Sequence, residues 1–152
     1  MKGIRDLLQE HPFFGDLPDA DLDLLAGCGV NMRFSAGETI FREGEPADHF
    51  YVLRQGRVAL EMEVVGKPPF VVTMLGAGEV LGASWLFPPH RWQFEAIALE
   101  DTAAVALDAA CLRAKCDGDP ALGYRLVQRF AGLLVRRLQA TRLRLLDVYG
   151  NA

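Results

Sequence analysis

Few residues in this chain are of a type that performs covalent chemistry, and their spacing brings none of them together. Cys28, Cys111 and Cys116 are an odd number with no framework spacing, which suits a reducing cytoplasm. Cys111 and Cys116 fall about 140° apart around a helix and share no ligand face. His11, His49 and His90 show no pairing at ligand spacing, so no metal is expected. There is no nucleophile elbow, no H-E-x-x-H and no phosphate-binding Gly-rich loop ending in Lys. Glu95 is the one candidate acid, and an ion pair with Arg91 is its simpler role. Arg91 beside Trp92 can stack its guanidinium on the indole. What these residues suggest is recognition rather than catalysis, and no enzyme is expected.

The elements that must position them follow from periodicity. Leu17-Pro18-Asp19 followed by Leu22, Leu24 and Leu25 reads as a helix with Pro in its first turn, stopped by Gly27. Val58, Leu60, Met62 and Val64 alternate with Arg57, Ala59, Glu61 and Glu63, a strand with one wet face. Gln55-Gly56 divides it from Phe50–Leu53, and Gly66-Lys67-Pro68-Pro69 from Phe70–Met74, both as hairpin-like turns. Short apolar runs follow at Val80-Leu81, Phe94 to Leu99 and Ala103 to Leu107, with Gly at the corners. This pattern predicts an antiparallel β-roll or jelly roll.

Asp108 is placed to cap a short helix through Cys116. Asp119-Pro120 restarts a helix that runs without Pro to Val148. Along it Val127, Ala131, Leu134, Leu138, Thr141, Leu145 and Val148 recur at spacings of four and three, a heptad seam. Leu126, Phe130 and Leu133 form a second stripe suited to packing on the roll. Two apolar faces imply a homodimer, with Leu134, Leu138 and Leu145 at its seam.

Composition sets the limits. The 152 residues are 51% apolar and 24% charged with a net charge of −4, enough for one domain and too apolar for disorder. The uncharged stretch Pro68 to Gly78 is about half of a bilayer span, so no membrane crossing is expected. Residues 1–112 carry a net −9 and residues 113–152 a net +5. The basic end could touch nucleic acid, but its arginines interleave with apolar stripes as a helical dimer's flanks do. The whole reads as a single domain over 1–152: N-terminal helices to about 30, the roll over about 31–107 and C-terminal helices over about 108–149. Without a secretory signal, a cytoplasmic location is expected.

One stretch carries a resemblance. FSAGETIFREGEPADHFYVLRQGRVAL (34–60) and LGAGEVLGASWLF (75–87), with Gly37, Gly44, Gly56, Gly78 and Gly82 at the corners, resemble the cyclic-nucleotide-binding domain of catabolite-activator-type regulators. VRRLQATRLRLL (135–146) looks like that family's dimerising helix. The resemblance implies a double-stranded β-roll and a phosphate-binding cassette: a short helix after a Gly-Glu pair, ending near an Arg-x-Ala-Ser/Thr segment. N–H groups at its start favour an anion, the arginine binds the cyclic phosphate, the glutamate accepts from the ribose hydroxyl, and a threonine on the long helix meets the purine.

Carried over by position, Gly82 is the cassette glycine and Ala83 replaces the glutamate. Ser84-Trp85-Leu86-Phe87 would be the short helix, ended by Pro88-Pro89. Trp92 falls on the arginine's position with Arg91 one residue off. Thr141 aligns with the purine contact, Arg142 beside it, and Trp85 flanks the base side. The implied function is a non-enzymatic sensor module, degenerate for cAMP and cGMP, holding another anionic ligand or none. Two alternatives stand: a true cAMP receptor using Arg91 and backbone N–H groups, and a protein-interaction module that has lost its ligand. Family relatives that bind DNA append a helix-turn-helix after the long helix. None is legible here, so direct DNA binding is not expected, and any output would pass to a separate effector protein.

Overall fold

The computed structural model describes residues 2–150. The chain divides between Ala114 and Lys115 into two compact units. The first begins with helices α1 (Ile4–Glu10) and α2 (Asp19–Ala26), then strands β1 (Gly29–Phe34), β2 (Thr39–Phe41), β3 (His49–Gln55), β4 (Arg57–Met62), β5 (Phe70–Gly76), β6 (Val80–Leu81), β7 (Glu95–Ala98) and β8 (Thr102–Asp108). Helix α3 (Ala109–Gly118) follows directly, and helix α4 (Pro120–Gly150) lies in the second unit.

All strand pairs are antiparallel, in two four-stranded sheets ordered β1-β8-β3-β6 and β2-β7-β4-β5. This is the expected β-roll. Its core is aliphatic and aromatic: Phe50, Val52, Leu53, Val58, Leu81, Val105 and Leu107 are fully buried. On the other side of β8, α1 packs over β1 and β8, and Gly29 leaves the room that Ile4 fills.

Three expectations need correction. The Gln55-Gly56 break is no hairpin, because β3 pairs with β6 and β8 while β4 pairs with β5 and β7. Gly56 is the corner at which the chain changes sheets. Its φ is +103°, and a Cβ there would lie 2.7 Å from the Thr102 Cα. The Gly66 turn does join a hairpin, β4 to β5. Second, β4 does not alternate cleanly: Ala59 is buried like Val58 and Leu60, being small enough to be covered on the outer face too. Third, Pro18 is the N-cap of α2 rather than part of its first turn.

The cysteines also depart from expectation. Cys28 and Cys111 form a disulfide, 83 residues apart in sequence, and only Cys116 is a free thiol. The β1–β8 register is the cause. It sets Gly29 opposite Leu107, so the residue before β1 meets the first turn of the helix after β8. No sequence spacing displays that juxtaposition.

The N-terminal caps of the last two helices are as the sequence implied. The Cys111 N–H donates to Asp108 Oδ1 (2.8 Å) and the Leu122 N–H to Asp119 Oδ1 (3.2 Å), each satisfying a first-turn donor. Helix α4 then runs unbroken for 31 residues. Leu122, Leu126 and Phe130 are buried and Leu133 is half-buried, whereas Leu134, Leu138 and Leu145 are 40%, 59% and 52% exposed. No helix among the described residues is long and apolar enough to cross a membrane.

Candidate functional site

The segment from Gly82 to Trp92 leaves β6 and returns to β7. Gly82 has φ +95°, a conformation that glycine adopts without cost. The residues after it do not form the expected short helix. Ala83 to Leu86 make a single turn, closed by the Leu86 N–H on the Ala83 carbonyl (3.1 Å), and Pro88-Pro89, joined by a cis peptide, follow too soon to extend it. Ala83 and Ser84 are half-buried. Ala83 presents a methyl group at the position that the resemblance gives to a glutamate.

The two tryptophans occupy the interior. Trp85 is fully buried and stacked on Phe50, ring centroids 5.3 Å apart. Its backbone carbonyl accepts from Arg113 Nη1 of α3 at 2.7 Å. Trp92 lies flat on Phe41, centroids 3.7 Å apart and planes 7° from parallel. The same indole presses on Gly82: a Cβ there would stand 2.3 Å from Trp92 Cζ3. Gly82 and Trp92, ten residues apart, are thus packed face to face.

Arg91 points elsewhere. Its Nη1 donates to the Gly44 carbonyl at 2.8 Å, and its backbone bridges to Pro46. Three further backbone bonds clasp the β2–β3 loop to this segment: Gly44 N–H to the Trp92 carbonyl (2.8 Å), Trp92 N–H to the Glu45 carbonyl (2.9 Å) and Ala47 N–H to the His90 carbonyl (2.7 Å). The loop Arg42–Asp48 was not singled out in the sequence beyond the corner at Gly44, yet it decides where Arg91 goes. Glu95 pairs with Arg42 at 3.3 Å, not with Arg91 as expected, because β7 lies beside β2 in the same sheet.

Thr141 and Arg142 lie on exposed turns of α4, in the second unit. The Thr141 hydroxyl donates to the Arg137 carbonyl one turn earlier (2.9 Å).

A cleft of about 250 Å³ opens elsewhere on the first unit, lined by Lys2, Glu10, His11, Pro12, Leu53 and Arg54. His11 is buried with both ring nitrogens engaged. Nδ1 accepts the Phe13 N–H (3.2 Å), so Nε2–H donates to the Leu53 carbonyl (3.0 Å). Burial pushes its pKa below the ordinary histidine value. The sequence marked His11 only as unpaired.

Comparison with known proteins fits this frame. The family model of the cyclic nucleotide-binding domain matches residues 31–119. The chain belongs to the cyclic nucleotide-binding domain family. Within that family it is 28% identical over 117 residues to the CRP-like cAMP-activated global transcriptional regulator of Mycobacterium tuberculosis, covering 77% of this chain and 50% of that protein. It is 28% identical over 134 residues to the cyclic AMP receptor protein of Thermus thermophilus, covering 88% of this chain and 60% of that one. The chain therefore spans about half the length of the curated relatives it matches. Among solved structures, a Geobacter metallireducens protein assigned to cyclic nucleotide binding superposes with a TM-score of 0.80 at 28% identity, over 91% of this chain and 99% of that one. The catabolite activator protein of Thermus thermophilus gives 0.71 at 28% identity, over 91% of this chain and 63% of that one. The module is a regulatory one by family.

Proposed function

We propose that this module does not take cAMP or cGMP in the family's manner, and that it regulates through its C-terminal helix with another anion or no ligand. The observation that carries the reading is the indole of Trp92 packed on Gly82 and stacked on Phe41. Two polar losses support it. Ala83 offers no acceptor for a ribose hydroxyl, and the Arg91 guanidinium is already held by the Gly44 carbonyl. Each missing hydrogen bond to a charged group costs about 1.5–3 kcal/mol, roughly ten- to a hundredfold in affinity.

The test is restoration. Ala83→Glu with Trp92→Arg returns the carboxylate and the guanidinium together and removes the indole. The double variant should bind cAMP measurably by calorimetry while the parent gives no heat. Binding by the parent at low micromolar concentration would favour the receptor reading, with Arg91 and backbone N–H groups carrying the phosphate. Failure of both proteins, with the double variant folded, would favour an interaction module in which Trp85 also fills the space.

Assembly belongs to the same proposal. Leu134, Leu138 and Leu145 are apolar, exposed and at heptad spacing, as a two-fold helix pair requires. Leu138→Glu should convert a dimer to a monomer by light scattering. An unchanged mass would place any interface elsewhere.

A further inference from the structure

The Cys28–Cys111 bond sits at a junction that the ligand reading does not use. Cys28 ends the turn before β1 and is 7% exposed, while Cys111, in the first turn of α3, is half-buried. Two hydrogen bonds frame the link. The Cys28 carbonyl accepts the Asp108 N–H (2.9 Å), and Asp108 Oδ1 caps the Cys111 N–H (2.8 Å). Two residues further along α3, Arg113 grips the Trp85 carbonyl in the turn after Gly82 (2.7 Å). The first turns of α3 are thus fastened at three points: covalently to the entry of β1, by the Ala109 N–H on the Asp48 carbonyl (2.8 Å), and by one charged hydrogen bond to the Gly82–Phe87 segment.

We propose that Cys28–Cys111 is a reversible redox latch, and that opening it loosens the first turns of α3 and, through Arg113, the segment after Gly82. The chemistry is thiol–disulfide exchange with a low-molecular-weight thiol. One thiolate attacks Sγ of Cys111, the less buried of the two residues, forming a mixed disulfide, and Cys28 leaves as a thiolate that takes up a proton. A second thiol attacks the mixed disulfide, releasing Cys111 and the oxidised small-molecule disulfide. Two external thiols are oxidised as the protein gains two. Cys116 is a poor internal competitor, since burial, then Asp117 and Asp119, push its thiol pKa up and leave little thiolate.

The latch does not depend on which ligand the roll takes, so it can fail while the ligand proposal stands, and the reverse. The test uses the full chain held in oxidised or reduced glutathione, with the bond scored by alkylation mass and backbone opening by hydrogen exchange. The bond should form in oxidised glutathione and open in millimolar reduced glutathione. On opening, amides of 109–116 and of 83–88 should exchange roughly tenfold faster while β8 amides 103–107 keep their protection. Arg113→Met should leave the response of 109–116 intact and abolish that of 83–88. Cys28→Ser with Cys111→Ser should show the fast pattern in either buffer. A bond that never forms, one that resists reduction, or reduction without change in exchange would overturn the latch. So would loss of protection across β8 as well, since the bond would then be a staple of the whole unit.

Discussion

Gly56 and Gly82 present the same backbone problem with opposite kinds of neighbour. Both have left-handed φ, +103° and +95°, and at both a Cβ would overlap something, at 2.4 Å and 2.3 Å. At Gly56 the obstacle includes backbone, the Thr102 Cα and the Asp101 carbonyl, at the corner where one sheet hands the chain to the other. At Gly82 the obstacle is a side chain, the Trp92 indole. The first glycine is demanded by the corner at which this chain passes from one sheet to the other. The second is crowded by a residue that stands where the family resemblance places an arginine. The frame is thus constrained by main chain, whereas the segment after Gly82 is crowded by one side-chain ring.

That contrast can be broken experimentally. Gly56→Ala should have the largest effect, about 4 kcal/mol of destabilisation or more, because neither φ nor the β8 backbone can give way. Little folded protein in a urea titration is the expected result, and a near-normal midpoint would mean the corner is softer than its geometry. Trp92→Ala should cost about 3–5 kcal/mol as a buried aromatic lost from its stack on Phe41. Gly82→Ala alone should cost about 2–3 kcal/mol, falling to about 1–2 kcal/mol when Trp92 is already Ala, since only the φ penalty remains. Additive single and double costs would show that the indole does not press on Gly82.

The smallest effect lies outside both regions, at His11. Its folded pKa is below its unfolded one, so the native state binds the proton less readily. The stability it contributes is complete above the ordinary value near 6.5 and is lost as pH falls from there through the lowered folded value. Melting temperature should therefore drop on acidification, and less so in His11→Gln. The facing groups Lys2, Glu10 and Arg54, with Glu79 nearby, stay in place in both proteins, so the difference isolates the imidazole.

Much of the frame was legible because it is written in local rules. Gly37, Gly44, Gly56, Gly78 and Gly82 all have positive φ, as corners do, and the Asp108 and Asp119 caps and the Pro120 start lie where residue type alone puts them. The hairpin at Gly66 and the corner at Gly56 read alike, because pairing partners are a property of the sheet and not of the turn. The site was less legible for the same reason. That Ala83 stands where the resemblance expects a glutamate is visible in the sequence. That Arg91 turns to Gly44 and that Trp92 reaches Gly82 depends on the loop Arg42–Asp48 clasping residues 90–92. The Cys28–Cys111 bond depends on a register between the first and last strands, which no spacing encodes.

The most direct test of the central claim is calorimetric titration of the unmodified protein with cAMP, followed by the same titration of Trp92→Arg combined with Ala83→Glu. A site closed by Trp92 and lacking its carboxylate predicts no saturable heat up to millimolar cAMP for the parent, and saturable binding for the variant. Saturable low-micromolar binding by the parent would contradict it.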